Sequence, residues 1–404
     1  MNWLQHPVMV LLIGFAASLA LTWISIHVAN HFDLKAHPDH RSSHTIPTPR
    51  IGGIGIASLP LMALAWFGYS YWISPESSTS PDALAAMSTI EIYLLMLQRG
   101  PEFIIAAACG GVVFYIVGLW DDLKNLKPIP KFIGQFCGAI IALVWLRDKV
   151  YFELAYSRLL FWAIAFCWIV CFVNAFNFMD GMNGKAGVFS AFALSSVLLI
   201  IYNIPFRDYL IGHDIREYFD NVLLRELFPQ YLKSHFGLCQ LLLIGSIGGF
   251  LFFNLRPKAK IFMGDCGSHF LGFIIAFEAL AFSDSLVVGR LPLLIFITLT
   301  LPFTYDVTYT LIKRLREGKN VLQAHREHLY QRLMICGMSH MRVLAICLGT
   351  YLLCAVLAFA SLLSLSILLR LLYFLGALLC MIIYTFYVFY CESRRPQPSS
   401  AAEG

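Results

Sequence analysis

Long apolar segments alternate with shorter polar segments along almost the whole chain. Each apolar segment is close to the length of about 20 residues that an α-helix needs to cross the hydrocarbon core of a bilayer. We therefore predict an all-α, polytopic integral membrane protein with about eleven transmembrane helices. The predicted spans are residues 8–29, 51–72, 103–120, 132–146, 159–178, 186–204, 236–255, 270–287, 291–312, 343–363 and 367–390.

The spacing of the spans predicts a single transmembrane domain over residues 1–392. Two longer polar breaks interrupt it. Residues 205–235 form an amphipathic insertion that fits an interfacial helix and a short packed cap equally well. Residues 313–342 form a basic loop. The polar, proline-containing residues 393–404 have the composition of a disordered tail.

Composition and charge place the chain in a membrane and orient it. Apolar residues make up 59% of the sequence and charged residues 13%. Most of the 29 lysines and arginines fall in one set of loops, which predicts that those loops are cytoplasmic. The N-terminus is then outside and the C-terminus is in the cytoplasm. The expected surroundings are a lipid bilayer, with no nucleic acid partner.

Acidic and amide side chains recur at the predicted cytoplasmic ends of the spans, where charge near lipid is costly. The pair Asp121 and Asp122 follows one span, and Asp265 precedes another. Adjacent carboxylates are stabilised by a divalent cation or by a raised pKa. A solvated acid pair beside basic residues explains Asp121 and Asp122 as well, and helix capping explains Asp265. Together they favour a Mg²⁺ site for a phosphate substrate.

Three further segments add polar groups on the predicted cytoplasmic side of the membrane. In NAFNFMDGMNGKAG, Asn177 and Asp180 share one helix face if the helix continues, although turn formation explains part of this composition. In RIGGIGI, glycine amides near a helix start are candidate phosphate donors, and tight helix packing is the alternative. The loop HREH has two histidines that suit a diphosphate, or contact with anionic lipid. The candidate binding residues are Asn177, Asp180, Asn183, Phe262, Arg41, His44, Arg50, His325, Arg326 and His328.

Five motifs in this order resemble those of the polyprenyl-phosphate N-acetylhexosamine-1-phosphate transferase family. They are RSSHTIPTPRIGGIGI, GLWDDLKNL, NAFNFMDGMNGKAG, FMGDCGS and HREH. The resemblance implies transfer of a sugar 1-phosphate from a UDP-N-acetyl sugar to undecaprenyl phosphate on the cytoplasmic face. It implies Mg²⁺ as cofactor, with Mn²⁺ as a substitute, and leaves a homodimer open.

The resemblance also implies a role for each candidate residue. Asp265 would bind Mg²⁺, and Asp121 or Asp122 would be the catalytic residue that helps to deprotonate or position the lipid phosphate. Asn177, Asp180, Asn183 and Phe262 would line the nucleotide side. His325 and His328, with Arg326 between them, would hold the diphosphate or sugar.

Two departures from the family's peptidoglycan branch suggest a subgroup. The chain has PTPRIGG and HREH where the phospho-MurNAc-pentapeptide transferase has PTMGG and three consecutive histidines. These forms look more like the branch that initiates O-antigen and related lipopolysaccharide synthesis in the cell envelope. Its donors carry GlcNAc, FucNAc or QuiNAc. The peptidoglycan enzyme, a transporter that uses Glu278 and Asp306, and a lipid-binding scaffold remain the alternatives.

Overall fold

The computed structural model describes residues 6–38, 46–73, 100–146, 158–210, 235–256, 258–282, 292–321, 323, 325–364 and 366–395. The helices are α1 (Pro7–His31), α2 (Gly53–Ile73), α3 (Gly100–Lys124), α4 (Pro128–Leu146), α5 (Arg158–Met179), α6 (Lys185–Leu210), α7 (His235–Asn254), α8 (Gly264–Ala281), α9 (Pro292–Arg316), α10 (Leu329–Ile335), α11 (His340–Leu363) and α12 (Ile367–Ser393). Two short antiparallel strands, β1 (Lys35–Ala36) and β2 (Thr48–Pro49), complete the described structure.

The prediction of an all-α polytopic membrane protein is confirmed. Each of the eleven predicted spans corresponds to one long helix, and α10 is an additional short helix. Within the described residues, nine helices are long and apolar enough to cross a membrane. The two remaining long helices are α6, whose apolar part is shorter, and α8, which lies inside the bundle. Most of the insertion 205–235 and of the tail 393–404 falls outside the described residues.

Helix α8 is the centre of the bundle, because every residue from Cys266 to Ala281 is buried. It packs against α2, α3 and α5. Small residues allow the backbones to approach closely, as is common between helices in membranes. A Cβ atom on Gly53 of α2 would lie 2.2 Å from the amide nitrogen of Gly267, and one on Gly118 of α3 would lie 2.2 Å from the carbonyl oxygen of Asp265. This packing brings the start of α8 against the end of α3.

The start of α8 is also fixed by the segment that precedes α2. The amides of Gly52 and Gly53 donate hydrogen bonds to the carbonyls of Phe262 and Met263, at 2.9 and 2.7 Å. These amides are therefore used by the backbone, so close packing, not phosphate binding, explains the two glycines. Gly264 then turns the chain into α8 with φ of +74°, and a Cβ there would lie 1.9 Å from the Arg50 carbonyl.

An ion pair ties the short helix α10 to the C-terminal helix α12. The Arg332 guanidinium donates to both carboxylate oxygens of Glu392, with the Nε to Oε1 distance at 2.6 Å. The same guanidinium lies 4.8 Å from the centre of the Phe389 ring. Since α10 begins directly after the HREH motif, this pair fixes the position of that loop against the membrane bundle.

We expect Arg332→Ala and Glu392→Ala to destabilise the protein by a similar amount, about 1 to 2 kcal/mol, because the pair is bidentate but partly exposed. The double variant should be little worse than either single variant. Thermal unfolding in detergent measures this. Glu317→Ala, which breaks the exposed pair with Lys319, is the matched control and should leave the melting temperature unchanged. Additive losses from Arg332→Ala and Glu392→Ala would show that the two side chains act independently.

Candidate functional site

A cavity of about 380 Å³ opens where α3 and α5 end and α8 begins. It gathers residues from segments that are far apart in the sequence. Its lining consists of Ala36, Arg50, Asp121, Asp122, Asn125, Asn177, Asp180, Gly181, Met182, Asn183, Asn254, Phe262, Met263, Gly264, Asp265 and Gln331. Eight of the candidate residues predicted from the sequence therefore share one cavity.

Asp122 holds the first turn of α8 from another helix. Its two carboxylate oxygens accept hydrogen bonds from the backbone amides of Asp265 and Cys266, each at 2.9 Å. These amides belong to the first turn, where no intrahelical partner exists. The sequence suggested that Asp265 caps this helix. The cap comes instead from Asp122, because Asp265 is already the second residue of α8.

Asp265 and Asp121 are joined by a lysine. The Nζ atom of Lys131 lies 2.5 Å from one oxygen of Asp265 and 2.8 Å from one oxygen of Asp121. The other oxygen of Asp121 accepts from the Leu126 amide at 2.7 Å. Lys131 lies in the first turn of α4, directly after the turn that follows the two aspartates. The ammonium therefore balances two carboxylates that face the same cavity.

Asn177 supports Asp265 from the opposite side. Its side-chain amide donates to the second oxygen of Asp265 and to the hydroxyl of Ser268, each at 2.8 Å. Helix α5 ends at Met179, so Asp180 follows the helix and does not continue its face as the spacing predicted. Both side chains nevertheless line the cavity.

Asp180 is the fourth carboxylate that lines the cavity, after Asp121, Asp122 and Asp265. Burial raises its pKa well above the ordinary value, and the negative charges of Asp265 and Asp122 raise it further, while Lys185 opposes the shift. A carboxyl group in such surroundings is ready to accept positive charge, either as a proton or as a cation. The cavity thus combines two carboxylates that pair with Lys131 and one, Asp180, that lacks comparable compensation.

Two asparagines frame the loop between α5 and α6. The Asn183 side chain donates to the Arg256 carbonyl at 3.0 Å. The Asn254 side chain accepts from the Gly184 amide at 2.6 Å and donates to the Ile261 carbonyl at 2.8 Å. These bonds join the loop that carries Asp180 to the segment that carries Phe262. That aromatic ring consequently stands at the edge of the same cavity.

The basic and histidine residues divide into two groups. Arg50 lines the cavity and donates to the Asn125 side chain at 2.9 Å. His325, Arg326 and His328 do not line it. Gln331, on the first turn of α10, does reach the cavity from the same part of the chain. Arg41 and His44 lie outside the described residues.

His328 is buried and structural in its contacts. Its Nδ1 atom lies 3.1 Å from Asp306, and the same carboxylate oxygen accepts from the Leu329 amide at 3.0 Å. His325 lies next to it, with 4.9 Å between the ring centres. Burial lowers the pKa of His325 to about 4, and the neighbouring His328 and Arg314 contribute to the shift. His328, which is the more buried of the two histidines, therefore positions α10 through Asp306.

These contacts also account for the two acids that a transporter would use. Asp306 accepts from His328 and from α10, and Glu278 accepts from the Gln240 side chain at 3.2 Å. Neither carboxylate lines the cavity between α3, α5 and α8. Both are buried inside the bundle with partners.

The cavity suits a magnesium ion better than a metal held by nitrogen or sulfur. Its charged donors are carboxylate oxygens, which are the ligands that Mg²⁺ prefers. Among the described residues, no group of three or more His, Cys, Asp or Glu side chains is arranged to hold a metal ion. Mg²⁺ commonly binds through one or two carboxylates, with water and substrate phosphates completing its shell. Asp265, assisted by Asp121 or Asp180, fits this requirement.

Three residues of the site were not predicted from the sequence: Asn125 and Gln331, which line the cavity, and Lys131, which joins Asp121 and Asp265. In the sequence, Lys131 is one of the basic residues that orient the chain. One feature of the sequence could have identified Lys131 as a site residue. It lies in the first turn of an apolar helix, shortly after two aspartates, and a charge near lipid needs a partner. No local pattern places Gln331 in the cavity, because it reaches Asp180 and its neighbours only through the packing of α10.

A sequence profile of glycosyl transferase family 4 matches residues 104–283, a stretch that contains Asp121, Lys131, Asn177, Asp180 and Asp265. The chain is similar to this family over that stretch. The family match covers α3 to α8 and therefore the carboxylate side of the cavity. The histidine loop before α10 lies beyond it.

Relatives extend the similarity over most of the chain. A decaprenyl-phosphate N-acetylglucosaminephosphotransferase of Mycolicibacterium smegmatis is 26% identical over 87% of this chain and 80% of its own length. A probable undecaprenyl-phosphate N-acetylglucosaminyl 1-phosphate transferase of Bacillus subtilis is 30% identical over 60% of this chain and 61% of its own. A phospho-N-acetylmuramoyl-pentapeptide-transferase of Nautilia profundicola is 29% identical over 52% of this chain and 62% of its own.

Proposed function

We propose that this membrane enzyme transfers an N-acetylhexosamine 1-phosphate from a UDP-sugar to a polyprenyl phosphate, with Mg²⁺ as cofactor and UMP as the second product. The observation that carries the proposal is that Asp121 and Asp265 line one cavity at the end of the helix bundle and are joined there by the ammonium of Lys131. The names of the two relatives that cover most of this chain contain a polyprenyl phosphate and N-acetylglucosamine.

In the proposed reaction, an oxygen of the polyprenyl phosphate attacks the β-phosphorus of the UDP-sugar. A new phosphorus–oxygen bond forms, the bond to the bridging oxygen of UDP breaks, and UMP leaves. Little covalent chemistry is required of the protein, so its task is to position two anionic phosphates and to stabilise their charge. Mg²⁺, when bound by Asp265 with Asp121 or Asp180, supplies the neutralising charge and polarises the phosphate oxygens.

The geometry distinguishes the two adjacent aspartates. Both oxygens of Asp122 are bonded to backbone amides of α8, so Asp122 is a positioning residue for Asp265. Asp121 is held by a backbone amide and by Lys131, beside Asp265. We therefore assign to Asp121 the contact with the lipid phosphate and, where that phosphate carries a proton, its removal. Lys131 stabilises the resulting negative charge.

The nucleotide side of the cavity is assigned to the residues of the loop after α5 and of the segment before α8. Asp180 and Asn183 are held there by backbone contacts, and Phe262 offers a ring for stacking on a base. Arg41, His44 and Arg50 remain candidates for the phosphates, with His325 and Arg326 for the diphosphate or sugar, whereas His328 is held by Asp306. The first donor to test is UDP-GlcNAc, because the relatives' names contain that sugar.

We place the enzyme in a bacterial inner membrane with its cavity on the cytoplasmic face, where nucleotide sugars are made. Initiation of O-antigen or a related envelope polysaccharide fits the PTPR and HREH motifs. Transfer of phospho-MurNAc-pentapeptide is the second candidate. Its support is the relative from Nautilia profundicola, which covers a smaller part of this chain than the N-acetylglucosamine enzymes do.

The decisive experiment is UMP release by the purified chain in detergent, with undecaprenyl phosphate and a panel of UDP-N-acetyl sugars. We expect release from one donor with Mg²⁺, partial replacement by Mn²⁺, and none with EDTA. Radiolabelled sugar should move into the lipid fraction in equal amount. UMP release without a labelled lipid product would indicate hydrolysis, and release only from UDP-MurNAc-pentapeptide would move the chain to the peptidoglycan branch.

A further inference from the structure

A second layer of polar side chains lies directly beneath the Asp265 cavity. Gln135 of α4 and His269 of α8 are completely buried, and Asn174 of α5 is half-buried. The Asn174 side-chain nitrogen donates to the Gln135 oxygen at 2.8 Å, and the Gln135 nitrogen lies 3.4 Å from Nε2 of His269. Gln135 thus connects three helices within the membrane bundle.

Each member of this layer is one helical turn away from a residue of the Lys131, Asn177 and Asp265 cluster. Gln135 follows Lys131 by four positions, His269 follows Asp265 by four, and Asn174 precedes Asn177 by three. Residues at these spacings lie on the same helix face. The upper layer joins the same three helices, but through Asp265 of α8, which both Lys131 and Asn177 contact. The two layers therefore repeat one three-helix junction, first with charges and then with neutral groups.

Stability alone does not explain the lower layer. A side-chain amide nitrogen only donates, so Nε2 of His269 accepts and its proton lies on Nδ1. That buried Nδ1 has no hydrogen-bond partner within the described residues. Burying such a group costs about 1 to 3 kcal/mol, and apolar side chains of similar size would avoid the cost. What the layer does provide is a fixed rotation and height for α4, α5 and α8.

We propose that Gln135, Asn174 and His269 are positioning residues that hold Asn177 and Asp265 in the arrangement required for metal binding, and Lys131 in the arrangement required for phosphate transfer. This inference rests on the proposed function. A small rotation of α4 or α8 moves the Lys131 ammonium or the Asp265 carboxylate relative to the other. Supporting partners of metal ligands change metal affinity or activity by about 10- to 100-fold when they are removed.

Gln135→Leu tests the proposal, and Gln240→Leu is its matched control. Both glutamines are buried and bond to side chains of α8, but Gln240 reaches Glu278, away from the cavity. We expect Gln135→Leu to lower kcat by about 10- to 100-fold and to raise the Mg²⁺ concentration for half-maximal rate by about tenfold. The KM for the UDP-sugar should stay within about twofold, since Asn183 is held by the Arg256 carbonyl and the layer bonds to the helices that carry Lys131, Asn177 and Asp265. Gln240→Leu should change none of these quantities.

The second readout needs no substrate. Mg²⁺ should raise the melting temperature of the purified wild type, and the midpoint of that titration should shift about tenfold in Gln135→Leu. If Gln135→Leu does not purify as a single species, Gln135→Asn shortens the same side chain and should shift the midpoint in the same direction.

If Gln135→Leu has the wild-type kcat and the wild-type Mg²⁺ midpoint, the positioning role of Gln135, Asn174 and His269 is wrong. The proposed function would then be unaffected. Equal losses in Gln135→Leu and Gln240→Leu would also overturn the positioning role, because they would indicate a general packing effect. If no donor supports UMP release, the proposed function fails, and the Mg²⁺ midpoint of thermal stabilisation alone decides the layer.

Discussion

Asp265→Asn is expected to reduce UMP release by at least about 100-fold, and by about 1,000-fold if the carboxylate binds the metal directly. The substitution keeps the size of the side chain and its position at the start of α8. It removes the negative charge that Lys131 and the Asn177 amide both contact. The Mg²⁺ dependence of the rate and of the melting temperature measures the effect, and both should be lost.

Asp33→Asn is the matched control for this substitution. Asp33 follows α1, its side chain is 70% exposed, and it pairs with Lys35 at 3.3 Å. Its loss should leave the rate and the Mg²⁺ midpoint unchanged, since exposed pairs contribute little. If Asp265→Asn instead retains more than about a tenth of the wild-type rate with the wild-type Mg²⁺ midpoint, Asp265 is not the metal ligand.

The helices were predictable because each one carries its own signal. A run of apolar residues near the length of the bilayer predicts a span whatever surrounds it, and all eleven long helices lie where such runs occur. Their ends were less accurate at α3 and α8. The helix α3 continues through Asp121 and Asp122, and α8 begins at Gly264, six residues before the predicted start. Polar residues extend both helices because the protein, not lipid, surrounds these ends.

Many of the residues that line the cavity could be predicted from the sequence, but the contacts between them could not. Charged residues at membrane helix ends need partners, so Asp121, Asp180 and Asp265 were identifiable one by one. Which of them meet depends on how α3, α4, α5 and α8 pack. The cap from Asp122 to α8 spans more than 140 residues of sequence and has no local pattern. The contact between Asp306 and His328 also has no local sequence pattern. It places the histidine motif beside the cavity and not in its lining.

Lys131→Met should also lower the rate of transfer by about 100- to 1,000-fold, but for a different physical reason. The ammonium at 2.5 Å from Asp265 and 2.8 Å from Asp121 balances both carboxylates and, in the proposed reaction, the phosphates that approach them. Without it, anionic substrates meet uncompensated negative charge. Lys131→Arg keeps the charge but replaces a compact ammonium by a planar guanidinium, so an intermediate rate is expected. Lys35→Met, which breaks the Asp33 pair, is the control.

The Mg²⁺ titration of the melting temperature distinguishes the role of Lys131 from that of Asp265, because the two substitutions should change Mg²⁺ binding in opposite directions. A cation that is held between two carboxylates competes with a metal for the same oxygens. Removing Lys131 should therefore lower the Mg²⁺ concentration that half-stabilises the protein, even though catalysis is nearly lost, whereas Asp265→Asn should abolish the stabilisation. If Lys131→Met weakens Mg²⁺ binding instead, the lysine orders the carboxylates for the metal and does not compete with it. The charge-balancing role assigned to Lys131 would then be wrong.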